Sequence, residues 1–388
     1  MTSDLYNLNP ALRLMVMGLG VALGPLAWVW LRSQNASLAK RLQMLTLLTL
    51  FLTFDLVLFG AFTRLTDSGL GCPDWPGCYG SASPAGAAPH IEAAQIALPG
   101  GPVTHAKAWV EMIHRYLATG VGVLILTLTL LSWGARLAGR RQPGALLSPW
   151  WPTATLLWVC LQGAFGALTV TMKLFPAIVT LHLLGGLVLL ALLRAQTVRH
   201  AQAQGGAGAT VLSTETRRCV MIAFALLWLQ IALGGWVSTH YAVLACTGFP
   251  QCQGSLWPVM DFRQGFTLWR ELGAGPNGGY ISFQALTAIH YVHRLAAYAV
   301  FVVLMALAAR LYRLPAVRVQ ARWLAGLTLL QAATGLSNVV LGWPLAGAVM
   351  HTGGAAALVV VLTGIIFSSR SLPRLVRVST LNASRLSA

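Results

Sequence analysis

Charged residues are scarce in this sequence, and acidic residues are the scarcest of them. Only 9% of the 388 residues are charged, and Asp and Glu together number 9. A soluble globular domain carries about a quarter charged residues, so this composition excludes that class. The hydrophobic segments also lack the paired acidic residues that a proton-coupled transporter would need, so the sequence gives little support to that class of protein. With 56% hydrophobic residues and a mean hydropathy of +0.69, the chain is typical of a membrane protein.

Long apolar runs take up most of the sequence. A run of about 20 residues is enough to cross about 30 Å of hydrocarbon as a helix. The first run lacks the cleavage pattern of a signal peptide, and a charged stretch and another run follow it directly, so we expect it to be retained. We predict nine spans, at residues 12–31, 43–63, 110–133, 149–171, 176–196, 219–239, 283–310, 322–343 and 346–369.

The formal net charge of +17 comes mostly from Lys and Arg residues in alternate connecting segments. These segments lie at residues 32–41, 136–141, 194–218, 310–322 and 370–385. Such an excess marks the cytoplasmic side of a membrane and favours contact with anionic lipid headgroups. The distribution therefore argues against a nucleic-acid partner. It predicts a cytoplasmic C-terminus, with the N-terminus and the long loops 64–109 and 240–282 outside.

The cysteines agree with this topology. Cys72 and Cys78 lie in the first outer loop, and Cys246 and Cys252 lie at the same spacing in the second. Disulfides persist on the oxidising side of a membrane. Because the outer loops add only scattered histidines, two local disulfides are favoured over a metal site.

The sequence is internally repeated. Four blocks match in the same order: 60–80 with 234–254, 111–115 with 290–294, 161–170 with 330–339, and His182 with His351. Spans two to five thus repeat as spans six to nine, and an even number of spans makes this a parallel repeat. We predict an all-α integral membrane protein of two pseudo-twofold-related four-helix bundles plus one extra N-terminal helix. Its predicted parts are 1–42 (extra helix and linker), 43–196 (first bundle), 197–216 (cytoplasmic linker), 217–369 (second bundle) and 370–388 (basic cytoplasmic tail).

Four histidines carry the functional prediction. His114, His182, His293 and His351 lie one to a span, on spans that run in the same direction, and all fall in the outer half of the bilayer. Paired imidazoles from neighbouring helices are how a membrane protein holds haem iron, and intramembrane histidine is by default functional. Four separate structural histidines would explain neither the common depth nor the duplication. We therefore predict two bis-histidine haem sites.

Residues beside these histidines fit a porphyrin but leave alternatives open. The glycine pairs 185–186 and 353–354 follow a histidine on or near the same helix face. They allow either a flat macrocycle or close helix packing. Arg115 and Arg294 each follow a histidine, and either pair with a haem propionate or reach to the interface.

The two halves differ at one position that bears on chemistry. Glu111 lies one turn before His114, whereas His290 takes that place in the second half. A buried carboxyl beside a haem can move protons or stabilise developing positive charge, which assigns chemistry to the first site and electron handling to the second. Alternatively, Glu111 meets headgroup water, and His290 competes with His293 as a ligand. Asp55 is a candidate on a proton path.

Taken together, these residues resemble the haem A synthase family of bacterial and mitochondrial membranes. The resemblance covers about residues 43–369. The motifs that carry it are TRLTDSGLGCPDWPGC (63–78), EMIHR (111–115), the His182 span, IHYVHR (289–294) and MHTGG (350–354).

The resemblance implies an enzyme that oxidises a ring methyl of haem O to a formyl group. Two successive hydroxylations and loss of water from a geminal diol would give haem A for terminal oxidases. By motif, His114 and His182 would bracket the substrate haem beside Glu111, and His293 and His351 would hold a resident haem B. The two cysteine pairs correspond to the family's outer-loop pairs.

The family also implies a partner enzyme, while the histidines themselves leave two rival functions open. Haem O synthase, a farnesyltransferase, would supply the substrate in the plasma membrane. The sequence identifies no electron donor and leaves a homo-oligomer open. Two rival functions use the same histidines, a dihaem membrane cytochrome b and a non-enzymatic haem carrier.

Overall fold

A computed structural model describes residues 9–139, 146–206, 209–275 and 278–371 of the chain. Most of the described residues are helical, and very few of them lie in strands. Nine of their helices are long and apolar enough to cross a membrane, which confirms the predicted spans of a multi-pass membrane protein. The helices are α1 (Asn9–Arg32), α2 (Leu38–Leu65), α3 (Ala88–Ala97), α4 (His105–Leu137), α5 (Trp150–Thr171), α6 (Pro176–Ala203), α7 (Thr214–Thr239), α8 (Phe262–Gly265), α9 (Phe283–Tyr312), α10 (Arg318–Val340) and α11 (Leu345–Ser368).

Short polar side chains begin several of the spanning helices. Ser37, Thr104, Ser213 and Ser282 each accept a hydrogen bond from the backbone N–H three residues on, at 3.2 to 3.3 Å. Such caps satisfy donors that the first turn leaves unpaired. Helix α6 instead starts at Pro176, whose missing N–H costs nothing at that position.

The connection between the two halves is shorter than the predicted linker 197–216. Helix α6 continues to Ala203 and α7 begins at Thr214. Within the connection, strand β1 (Thr210–Leu212) pairs in parallel with strand β2 (Ser369–Ser371), directly after α11. The sequence did not indicate these strands. Most of the predicted basic tail 370–388, and Arg140 and Arg141, lie outside the described residues.

The spanning helices contact one another in two rings of four. In the first half, α2 contacts α4 and α6, and α5 contacts the same two helices. In the second half, α7 and α10 each contact α9 and α11. Helices α4 and α6 therefore occupy opposite corners of one ring, and α9 and α11 opposite corners of the other. These are the four helices that carry the predicted histidines.

The two rings share an apolar core, and α1 lies beside the first of them. Helices α6 and α11 contact each other, and α6 also contacts α7. Buried leucines such as Leu190, Leu304 and Leu362 belong to one cluster that draws on both halves. Helix α1 packs mainly on α4, where a Cβ on Gly18 would lie 2.4 Å from Thr119. Small residues permit this approach in a membrane.

Candidate haem-binding sites at the outer end of the helices

The two outer loops have the same local fold. Disulfides Cys72–Cys78 and Cys246–Cys252 are both formed in the structure. A tight antiparallel turn follows each second cysteine, with positive φ at Tyr79 (48°) and Gly80 (70°), and at Gln253 (54°) and Gly254 (74°). Two consecutive positive φ values define a turn in which Gly at the second position relieves strain. The repeat therefore extends to backbone conformation outside the membrane.

Arg115 and Arg294 hold these loops against the helices. Arg115 donates hydrogen bonds to the carbonyl oxygens of Pro76 (3.1 Å) and Gly77 (2.6 Å). Arg294 donates to the carbonyl of Cys246 at 2.8 Å, and also to two further loop carbonyls. Both side chains are buried. The loop folds back over the helix, and its carbonyls accept several of the guanidinium hydrogen bonds. Burial argues against the interfacial role, whereas the role as a propionate partner stays a prediction.

Each outer loop has a second anchor, which is Glu111 in the first half and His290 in the second. The Glu111 side chain is buried, forms an ion pair with Arg115 and accepts a hydrogen bond from the Cys72 backbone N–H at 2.8 Å. It therefore does not meet headgroup water. In the second half, His290 Nδ1 lies 2.9 Å from the carbonyl oxygen of Ala242. Its Nε2 lies 3.4 Å from Arg294, so the loop rather than a ligand position engages this ring.

The structure brings the four predicted histidines together in pairs. The imidazoles of His114 and His182 lie close enough to interact electrostatically, and so do those of His293 and His351. Each pair joins helices at opposite corners of one ring. All four residues are half-buried. Because α4, α6, α9 and α11 all begin at the loop end, both pairs lie at a similar depth.

Each imidazole faces a glycine on a neighbouring helix. A Cβ on Gly60 would lie 3.0 Å from His114 Nε2, and one on Gly234 would lie 2.9 Å from His293 Cε1. The same holds on the other side of each ring of helices. There, a Cβ on Gly166 would lie 3.5 Å from His182 Cε1, and one on Gly335 would lie 3.1 Å from His351 Cε1. The glycines occupy matching places in the repeat, although the sequence indicated no role for them.

The glycines that follow His182 and His351 serve helix packing. A Cβ on Gly185 would lie 2.0 Å from the Gln162 amide nitrogen, and one on Gly354 would lie 2.2 Å from that of Gln331. These two positions therefore receive a glutamine side chain rather than the flat face of a macrocycle.

Asp55 lies on the exposed side of α2.

A polar seam joins the halves at the same end of the helices. Arg64 donates a hydrogen bond to the Ser238 carbonyl at 2.5 Å and lies 4.0 Å over the Tyr241 ring. Tyr241 donates to Asp67 at 2.6 Å, and burial raises the pKa of its phenol. Burial also lowers the pKa of the neighbouring His240 to about 4, so this loop histidine is neutral at pH 7.

The paired histidines fit haem. Imidazole nitrogens are common axial ligands of haem iron. Each ring has a glycine beside it instead of a side chain that would fill the space. In addition, His182 Nδ1 is buried without a hydrogen-bond partner among the described residues. Fold and site together define a helical, multi-pass membrane protein with two duplicated histidine pairs beneath disulfide-closed loops.

Comparison with known proteins gives the family. Residues 43–363 match the model of the COX15-CtaA family, which is described as cytochrome oxidase assembly protein. The chain belongs to this family. Helix α1 precedes the matched region.

Several bacterial relatives are similar over most of their length. A Heme A synthase of Shewanella oneidensis is 38% identical over 325 residues, which cover 84% of this chain and 96% of the relative. A Heme A synthase of Mesorhizobium japonicum is 30% identical, with 79% and 84% covered. One from Caulobacter sp. (strain K31) is 30% identical, with 80% and 91% covered.

The buried ion pair gives a first testable prediction. Arg115→Met removes the cation beside Glu111 and the donor to two loop carbonyls. Breaking a buried pair from one side costs about 3–5 kcal/mol, so we expect a large fall in thermal stability. Circular dichroism of the detergent-solubilised protein measures it.

Arg310→Met is the matched control. Arg310 pairs with Glu215, which is 81% exposed, and exposed pairs contribute at most about 1 kcal/mol. Equal losses of stability in the two variants would contradict the anchoring role of Arg115.

Proposed function

We propose that this protein is a haem A synthase, which oxidises a ring methyl of haem O to a formyl group to give haem A for terminal oxidases. The observation that carries the proposal is the duplicated histidine pair, of which only the first is accompanied by a buried carboxyl group. The names of the bacterial relatives agree with it.

In this proposal, the two rings of helices are two four-helix bundles related by a pseudo-twofold axis along the membrane normal. Residues 43–196 form the substrate bundle and residues 217–369 the electron-transfer bundle. The matching turns, loop anchors and glycine contacts support this division. Parallel repeats with an even number of helices produce that symmetry.

His114 and His182 bracket the substrate haem O in the first bundle, and His293 and His351 hold a resident haem B in the second. Held by these two imidazoles, haem B would supply electron transfer to the substrate site. The protein's contribution is to orient both macrocycles through side chains on facing helices.

Glu111 is the proposed catalytic group. It shares a helix face with His114, three residues on. The Cys72 N–H and Arg115 fix the direction of its carboxyl group. A carboxyl group held in place can take up or supply a proton as the methyl carbon is oxidised. The equivalent His290 is engaged by the loop, and the second half has no carboxyl group at that position.

We also propose a location and partners. The chain lies in the plasma membrane with its N-terminus and disulfide loops outside and its C-terminus in the cytoplasm, as the basic segments predict. Haem O synthase supplies the substrate, and lipid headgroups contact the basic segments. The oxidation also requires an oxidant that supplies oxygen and an electron donor, both of unassigned identity. A homo-oligomer is compatible with this arrangement.

Glu111→Gln tests the function. Glutamine keeps an acceptor for the Cys72 N–H but removes the charge and the titratable proton. We expect conversion of haem O to fall about 10²- to 10⁴-fold while bound haem remains. The measurement is mass identification of the haems extracted from cells that make haem O and this chain.

Glu92→Gln, at an exposed position in α3, is the control and should leave formyl haem production unchanged. Release of only unmodified haem by cells making the unsubstituted chain would contradict the enzyme proposal. A dihaem cytochrome b or a haem carrier would then explain the site.

The glycine contacts give a separate prediction. The Cβ of Gly234→Ala would lie 2.9 Å from the His293 ring, so the imidazole must shift. Overpacking costs about 1–3 kcal/mol, and we expect haem affinity in the second bundle to fall at least about fivefold. Gly326→Ala in α10, where a Cβ meets nothing within 4 Å, is the matched control. Equal haem titrations for both variants would contradict the contact's role.

A further inference from the structure

The second histidine pair has a hydrogen-bond partner that the first pair lacks. Thr334 Oγ1 lies 3.0 Å from His351 Nδ1. The same hydroxyl lies 2.8 Å from the carbonyl oxygen of Leu330, which can only accept a hydrogen bond. Its single proton therefore goes to Leu330, and its oxygen accepts from His351 Nδ1–H. That tautomer leaves the lone pair on Nε2 available for iron.

Helix α10 holds His351 at two further points. The Gln331 amide nitrogen donates a hydrogen bond to the His351 carbonyl oxygen at 2.8 Å. Gly335 lies against the ring, where a Cβ would come within 3.1 Å of Cε1. The backbone, the ring position and the ring nitrogen of this histidine are thus all set by one neighbouring helix.

The first half keeps the scaffold but not the hydroxyl. Phe165 occupies the place of Thr334 in the repeat, and Gln162 that of Gln331. His182 Nδ1 is buried with no hydrogen-bond partner among the described residues. The glycine contact is also looser, because a Cβ on Gly166 would lie 3.5 Å from His182 Cε1, compared with 3.1 Å between Gly335 and His351. Among the described residues, no hydrogen bond to Nδ1 selects the tautomer or the rotation of the His182 ring.

The other ligand of each pair also has different neighbours in the two halves, but here the contact is of another kind, because an amide nitrogen can only donate and does not accept from the ring as Thr334 does. The Gln230 amide nitrogen lies 3.0 Å from His293 Nδ1 and donates to the His293 carbonyl oxygen at 3.1 Å. Leu56 takes the place of Gln230 in the first half and offers no hydrogen bond. There, His114 stacks on Phe59, with ring centroids 6.3 Å apart.

We infer that Thr334 is a positioning residue that fixes His351 and keeps the haem of the second bundle resident. Phe165, at the same place in the first bundle, leaves His182 free to release its haem. The inference rests on the proposed function, in which the first haem is a substrate that must enter and leave. Removing a partner of a metal-bound histidine typically weakens metal binding about 10- to 100-fold.

The test measures haem release from the second bundle alone. The full-length chain carrying His114→Ala and His182→Ala is purified, and transfer of its haem to excess apomyoglobin is followed by absorbance. Thr334→Val, which keeps the shape but loses the hydroxyl, should speed release about 10- to 100-fold. It should also raise the midpoint potential, because a ligand without its N–H acceptor is less electron-rich.

Two variants control for packing. Thr334→Ser restores the hydroxyl and should restore slow release. Thr328→Val, at a buried threonine on the same helix that bonds only to the Leu324 carbonyl in the described structure, should release haem at the unsubstituted rate. In the complementary variant, Phe165→Thr in the unsubstituted chain should slow loss of hemin added to the first bundle.

The outcomes separate this inference from the proposed function. Equal release rates and potentials for Thr334→Val, Thr334→Ser and Thr328→Val would overturn the inference while conversion of haem O by the unsubstituted chain still stands. A chain that holds haem firmly but never converts haem O would refute the proposed function and leave the role of Thr334 measurable. Fast release only in Thr334→Val would support the inference.

Discussion

Four imidazoles in apolar helices must each find a partner, because the membrane interior offers no water to a polar side chain. The rest of the site follows from this constraint. Pairs form across opposite corners of each ring of helices. Glycines on the neighbouring helices leave room for the imidazoles, because a Cβ at those positions would lie only 2.9 to 3.5 Å from them. Iron bound by a histidine pair would take one nitrogen of each ring. One nitrogen, His182 Nδ1, has no protein partner among the described residues.

Duplication gave both halves the same scaffold, and function depends on the few positions that differ. The disulfide, the tight turn and the arginine that holds the loop recur in both halves. Glu111 stands against His290, and Phe165 against Thr334. In each case the scaffold stays intact, while the carboxyl group of Glu111 and the hydroxyl group of Thr334 each appear in one half only. In the proposed function, one bundle acts on its haem while the other keeps its own.

The sequence predicted the nine spans and paired the histidines, because hydropathy and the internal repeat are local or periodic signals. It did not predict where Arg115 and Arg294 bind, since their loop partners lie some 40 residues away and only the folded loop brings them close. Gly185 showed its role only through contact with Gln162 on another helix. Thr334 was visible in the repeat as a difference from Phe165, but its meaning required the 3.0 Å contact with His351.

The most direct test of the central claim is the haem content of purified protein in which the histidines are replaced one at a time. We expect firmly bound haem with a low-spin spectrum that is lost in His293→Ala and His351→Ala. His114→Ala and His182→Ala should retain it and fail only to bind the substrate haem. Protein without haem, or identical haem content and spectra in all four variants, would contradict the account.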